Sequence, residues 1–398
     1  MSEWKKVPLE ALLSSTISYG IVQPGSNQAA GVPIVRVKDV RNGKVDDREP
    51  LRVSPEIESK YTRTRLQGGE ILLTLVGSTG QVAVVSPELA GWNVARAIGV
   101  LRPSSEISPR WLQYFLESED AQQYMREHLN TTVQATLNLK DVRQLPVPLP
   151  PRGEREAVVS VLGVLDDKIA VNERIANTLR ELGHAFFAQA VAEGAGVEAN
   201  VKSVSCVLTR GIAPKYSESL DDLLVLNQKC IRGGRVSTAP ARRTLREKAK
   251  APKLLLRNDV LVNSTGVGTL GRVARWSSDE AATVDSHITI VRFDEAQVDP
   301  VCAGFAMLRA QPEIEAMGEG STGQTELRRT QLGELEIPLP SKERQRELRP
   351  RLDSLEARAD QALNESQTLA TLRDTLLPQL MSGRLRVKDA EKIVEDAT

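Results

Sequence analysis

Two stretches of the chain carry apolar residues at alternating steps of three and four. Between residues 154 and 192 these are Val158, Leu162, Leu165, Ile169, Ala176, Leu179 and Leu182, with Asn172 on the same line, no proline, and Gly163 and Gly183 as the only glycines. Further on they are Leu348, Leu352, Leu355, Ala359, Ala362, Leu369, Leu372 and Leu376, with Ser366 on the line. This is the 3.5-residue period of a coiled coil, and each stretch predicts one long helix. A helix of roughly forty residues is about 60 Å long at 1.5 Å per residue, and an apolar stripe of that length must be covered. Both stripes belong to one chain and neither has another partner of similar length, so the two helices are expected to pack on each other. Pro378 should end or kink the second.

Elsewhere the pattern is of short strands and turns. Val32–Val40 alternates as a strand does and is followed by the turn residues Arg41-Asn42-Gly43-Lys44. Ile71–Val76 and Gln81–Val85 are β-branched runs on either side of a glycine loop, and Pro109–Leu129 has helical periodicity through Trp111, Leu112, Phe115 and Leu116. The second half repeats the scheme, with strand patterns at Leu223–Ile231, Val260–Asn263, Arg272–Trp276 and Thr283–Phe293 and a helical stretch near Val301–Ile314.

The chain is in effect written twice, with a period of about 190 residues. Leu145-Pro-Val-Pro-Leu-Pro150 is matched by Leu335-Glu-Ile-Pro-Leu-Pro340, and each is followed by a segment rich in Arg and Glu. Thr131–Leu137 matches Ser321–Leu327. Glu70-Ile-Leu-Leu and Asp259-Val-Leu-Val each lead into a Gly/Ser/Thr loop that ends in Gly80-Gln-Val-Ala or Gly271-Arg-Val-Ala. The fold class that follows is α+β. Two duplicated mixed α/β domains, residues 1–150 and 195–340, are each followed by a long helical region, residues 151–194 and 341–398.

Composition narrows the function. Formal net charge is zero, with 52 basic and 52 acidic residues, which excludes a nucleic-acid coat protein and leaves room for local basic clusters. Cys206, Cys230 and Cys302 are far apart and lack zinc-ligand spacing. With no apolar leader and no 18-residue apolar run, a reducing cytoplasm is the expected setting and a membrane is not. Gly266-Val-Gly-Thr-Leu-Gly271 is a literal GxGxxG, but Arg272-Val-Ala-Arg-Trp276 after it reads as a strand where a dinucleotide site needs a helix. No amino-methyltransferase tetrapeptide is present. Asp47 with Glu58 and Lys60 makes only a forced nuclease motif, and His128, His184 and His287 form no catalytic arrangement.

These residues together resemble the specificity subunits of type I restriction-modification systems. The resemblance is carried by Leu145–Pro150 with Arg152–Glu156, by Leu162-Gly-Val-Leu-Asp-Asp-Lys-Ile169 with Asn172, and by Leu376-Leu-Pro-Gln-Leu-Met-Ser-Gly-Arg384. Gly77-Ser-Thr-Gly80 and Val37-Lys-Asp-Val-Arg-Asn-Gly43 also resemble that family's target-recognition domains. The likeness covers nearly the whole chain. It departs from the family pattern where Ser341 stands in place of Pro151 of the first junction, and in the strongly basic run 342–351.

The resemblance implies a non-catalytic subunit. Each duplicated domain would read one half of an interrupted, asymmetric site on double-stranded DNA. The helices would pack as an antiparallel coiled coil, set the gap between half-sites and dock two methyltransferase subunits, through which motor-nuclease subunits join. No cofactor is expected in this chain; S-adenosylmethionine, ATP and magnesium would belong to the partners. The seam would be made by Leu162, Leu165, Ile169, Asn172, Leu179, Leu348, Leu352, Leu355 and Leu369.

The strongest basic footprint runs from Gln228 to Arg257, where ten basic residues accompany one acid, Glu247. Lys229, Arg232, Arg235, Arg242 and Arg243 are its candidate DNA ligands. Lys38, Arg41, Asn42 and Lys44 are the first-half equivalents, interleaved with acids. The glycine loops add Ser78, Thr79, Gln81, Thr269 and Arg272, and Gln134 and Gln324 occupy matching places as candidate adenine readers. A coiled-coil adaptor without DNA readout is the competing expectation, and a fused methyltransferase-nuclease a weaker one.

Overall fold

The structure is a computed structural model describing residues 4–130, 135–193, 196–318 and 326–396. The chain divides into two compact units. One comprises residues 1–172 and 364–398, the other residues 173–363. Each therefore takes one of the duplicated domains, part of the first long helix and part of the second.

In the first unit a four-stranded antiparallel sheet runs in the order Ser18–Tyr19, Ile98–Leu101, Ile71–Thr74, Val82–Val84. A three-stranded sheet has Val32–Val35 between Leu51–Val53, antiparallel, and Asn93–Val94, parallel. The second unit has the same plan. Ser205–Arg210, Ile288–Phe293, Val260–Asn263 and Val273–Arg275 form the antiparallel sheet, and Leu223–Leu226 lies between Arg242–Thr244, antiparallel, and Ala282–Val284, parallel. Even the isolated bridges correspond, with Ile21 to Ala95 in one unit and Ile212 to Asp285 in the other.

The strands are shorter than the sequence pattern predicts, for a local reason. Val32–Val35 stops because the Asp39 carboxylate accepts from both the backbone N–H and the guanidinium of Arg36, at 2.9 and 2.7 Å, which winds 37–39 into a 3-10 turn. Leu223–Leu226 stops likewise, since the Asn227 side chain accepts from the Lys229 backbone at 2.9 Å. These side chains compete with the sheet for backbone hydrogen bonds. The helical stretch after the sheet is also divided: Pro109–Glu117 and Glu119–Glu127 meet at the extended Ser118, whose hydroxyl donates to the Phe115 carbonyl at 2.6 Å.

One carboxylate–arginine clasp recurs in both units. Glu70 accepts from the backbone of Gln67 and Gly68, each at 2.8 Å, and faces Arg102 at 3.5 Å. Asp259 accepts from Leu256 at 2.8 Å and from Arg292 at 2.7 Å. Both carboxylates are buried, and each is compensated, as a buried charge must be.

The long helices are continuous, Arg152–Glu193 and Lys342–Met381, and antiparallel within each unit. In the first unit Asp166 bonds Arg373 at 2.8 Å and Lys168 lies 3.3 Å from Glu365. In the second, Glu193 lies 3.1 Å from Arg344. Leu162, Leu165, Ile169 and Leu369 are buried in one core with Trp111, Leu112 and Phe115, and Leu348 and Leu352 in another with Phe187 and Phe305. Asn172 is buried, Leu355 is half-buried, and Leu179 packs on a small cluster of Ala176, Ala359 and Ala362. The glycines of the first helix admit neighbours. A Cβ on Gly183 would stand 3.1 Å from the Phe305 ring, and one on Gly163 would stand 2.8 Å from Arg110.

Two expectations about these helices are corrected. Leu182 is not on the seam but 39% exposed, because the buried line passes from Ala176 and Leu179 to Gly183, Phe187 and Ala190, where Phe305 presses in. Pro378 does not end the second helix, which continues to Met381. Its missing N–H falls in the last turn, and its own carbonyl still accepts from Ser382 at 3.2 Å. Among the described residues no helix is long and apolar enough to cross a membrane.

Candidate nucleic-acid interface

The candidate site of each unit is assembled from the 3-10 turn, the short hairpin that follows it and, further along the chain, the glycine loop. The hairpins are Val40–Arg41 with Lys44–Val45 and Ile231–Arg232 with Arg235–Val236. Their turns need two successive residues with positive φ. Asn42 and Gly43 supply 49° and 75°, and Gly233 and Gly234 supply 57° and 74°, the type I′ geometry that suits hairpin twist. The hairpin packs beside the strand that leaves the glycine loop in both units; in the first, Gly43 bridges Ala83.

In the first unit Lys38, Arg41, Asn42 and Lys44 are exposed on the turn and hairpin. Ser78 and Gln81 are exposed and Thr79 half-buried on the loop. That loop is braced from within, as the Thr74 hydroxyl donates to the Ser78 carbonyl at 2.5 Å and accepts from Gln81 N–H at 2.9 Å. Gln122 donates to the Gly80 carbonyl at 2.9 Å. Beyond the hairpin, Arg48 holds Asp46 at 2.7 Å and its hydrogen bond pulls the Asp46 carboxyl down to about 2. The acids interleaved here are thus partly occupied by the region's own arginines.

In the second unit the basic cluster divides by role. Lys229 and Arg232 are exposed beside the loop. Arg235 is turned to the second long helix, where it pairs with Asp360 at 2.8 Å, and Arg180 of the first helix donates to the Gly233 carbonyl. The guanidinium carbon of Arg242 lies over the Tyr216 ring, 3.5 Å from its centroid, and Arg243 donates to the Asp222 carbonyl at 2.7 Å. Thr269 is half-buried within the glycine loop, and Arg272 donates to the Gly268 carbonyl at 2.8 Å. The arrangement brings Lys229, Arg232, Thr269 and Arg272 to one region and leaves Arg242 and Arg243 on the neighbouring sheet. Gln134 and Gln324 lie outside the described residues.

Sequence reasoning missed a polar network under the second loop. Gln228 Nε2 donates to Thr265 Oγ1 at 2.7 Å, and that oxygen lies 2.8 Å from His287 Nδ1. Asn263 Nδ2 donates to the Gln228 carbonyl at 3.1 Å. The aligned positions of the first half are Val37, Val76 and Ala97, so the network is peculiar to the second. The substitution of three apolar residues by Gln, Thr and His at matched places was the signal available in the sequence.

The model of the type I restriction modification DNA specificity domain matches residues 1–181. The EcoBI specificity subunit of Escherichia coli is 31% identical over 160 residues, 39% of this chain and 34% of that protein, so the match spans about a third of its length. A putative type I restriction enzyme specificity subunit, MjaX, of Methanocaldococcus jannaschii is 21% identical over 414 residues, 97% of this chain and 94% of that one. The crystal structure of the type I restriction-modification S subunit from M. genitalium shares the fold, with a TM-score of 0.57 at 15% identity over 95% of this chain and 96% of that chain. The chain is thus similar to type I restriction-modification specificity subunits, in sequence over residues 1–181 to their DNA specificity domain and in fold over nearly its whole length to an S subunit.

Proposed function

We propose that each duplicated domain, residues 1–150 and 195–340, reads one half of a bipartite, asymmetric site on double-stranded DNA. The long helical regions, residues 151–194 and 341–398, set the separation of the half-sites and dock two methyltransferase subunits. Motor-nuclease subunits join through those, in the cytoplasm. S-adenosylmethionine, ATP and magnesium serve the partners' chemistry, and this chain supplies the address.

The observation that carries the reading is the recurrence, in both units, of a cationic turn and hairpin packed beside a glycine loop. Exposed Lys38, Arg41 and Lys44, and Lys229 and Arg232, are suited to phosphates, where cations release counterions. Ser78, Thr79, Gln81, Thr269 and Arg272 are donors on rigid turns, suited to base edges. Two such surfaces that differ side chain by side chain would read different bases, which supports an asymmetric site. Arg235, Arg242 and Arg243 act in this scheme on the position of the hairpin and sheet more than on DNA itself.

The test is the methylome of the host with and without this gene. Loss of methylation at one interrupted, non-palindromic motif on both strands is expected. Unchanged methylation in a host that expresses the partner subunits would overturn the DNA-reading assignment and leave the coiled-coil adaptor as the account of the chain.

A further inference from the structure

We propose that Val267 reads a thymine, packing its isopropyl group against the thymine 5-methyl in the major groove of the half-site met by the second domain. This rests on the DNA-reading assignment above and deepens it.

Val267 stands at the tip of the second glycine loop and is 76% exposed. The glycines on either side have φ of 98° and 73°, values that cost other residues strain, so the turn is committed to pushing residue 267 outward. The loop beneath is closed by Gly271 N–H to the Asn263 carbonyl at 2.8 Å, by Leu270 N–H to the Gly266 carbonyl at 3.0 Å, and by Arg272 to the Gly268 carbonyl at 2.8 Å. From the side, the Gln228–Thr265–His287 network holds it, and a Cβ on Gly266 would lie 2.9 Å from Gln228 Nε2. A β-branched side chain has few rotamers to lose, so the tip is ordered before anything binds.

The surroundings decide what it meets. Lys229, next to Gln228, is exposed, and Arg272 is tied to the same turn, so the face around the valine is cationic and suited to a polyanion. On duplex DNA the phosphates answer the cations. The apolar group that a base pair presents in the major groove is the thymine methyl. The matched position in the first loop is Ser78, a hydroxyl that suits a polar base edge, so the two tips differ in the chemistry they select.

The experiment uses the full chain reconstituted with its methyltransferase subunits and a duplex carrying the motif found in the methylome. Each thymine of both half-sites, on either strand, is replaced singly by uracil, which removes only the methyl. One replacement, in one half-site, should weaken binding about four-fold, the weight of one buried methyl group. Val267→Ala should bind the unmodified duplex more weakly by a similar factor and should no longer distinguish uracil from thymine there. Val267→Thr, of the same shape, checks that the loop still folds and docks. Full affinity for every uracil duplex, or a motif with no A·T pair in either half-site, overturns the proposal while sequence-selective binding keeps the DNA-reading assignment intact. Absence of any selective binding overturns both.

Discussion

Glu117 carries a carboxylate whose charge its burial disfavours. It sits in the last turn of Pro109–Glu117, hydrogen-bonded by Gln113 at 3.0 Å, with Gly43 of the first hairpin close by. Burial pushes its carboxyl up to about 7 from the ordinary 4.5, against the Gln113 hydrogen bond and the pull of Arg373. The fold therefore favours the protonated acid. Stability associated with this group is complete below the unfolded value and is lost as pH rises through about 7. Glu117→Gln should flatten the decline in thermal stability between about pH 4.5 and 7 and leave the protein little changed at about pH 4. A variant as pH-sensitive as the parent would show that the group is hydrated in solution. At this scale the sequence was least legible. Arg235 reads as a DNA ligand by composition, and only Asp360, 125 positions away, reveals its engagement with the helix. Gln228 and His287 look like ordinary surface residues until Thr265 joins them.

The elements were far more legible, because period and turn chemistry are local properties. Val260–Asn263 stands as expected, the Asn42-Gly43 turn closes a hairpin, and a strand follows the second glycine loop. The errors share one cause. Side chains that bond their own backbone, such as Asp39, Asn227 and Ser118, end elements inside an unbroken hydrophobic pattern. On the long helices the 3.5-residue line is followed until Phe305 reaches Gly183, where tertiary packing moves the buried line away from Leu182. That difference can be measured. Leu369, fully buried, should cost about 3 kcal/mol when cut to alanine, through lost transfer energy and the cavity left behind. Leu182→Ala should cost less than about 0.5 kcal/mol, as exposed positions do. Urea unfolding of the two variants compares them directly, and equal losses would return Leu182 to the seam.

For the whole molecule the duplication is the governing fact. The anchors recur in sequence with one period, and the units answer with matching sheet plans and the same mix of parallel and antiparallel pairs, the second adding the edge strand Tyr216–Ser217. Partner identity and site spacing were not legible as geometry; they entered through family resemblance. The spacing role has its own test. Seven residues added to both helices, at 172/173 and 363/364, lengthen each by about 10 Å at 1.5 Å per residue, the rise of about three base pairs at 3.4 Å each. The methylated motif should keep both half-sites and gain three positions between them. An unchanged gap would remove the helices from the role of spacer.

The division of the chain also bears on the order in which it can be built. Residues 173–363 are contiguous, whereas the first unit is interrupted and resumes only at residue 364. On a ribosome the second unit has all its segments before the first does. The core of the first awaits Leu369, Leu376, Leu377, Leu380 and Met381, with Ala390 and Val394 after them. Until they emerge, Trp111, Leu162 and Leu165 lack part of their cover, so the domain translated first is the one that depends longest on the rest of the message.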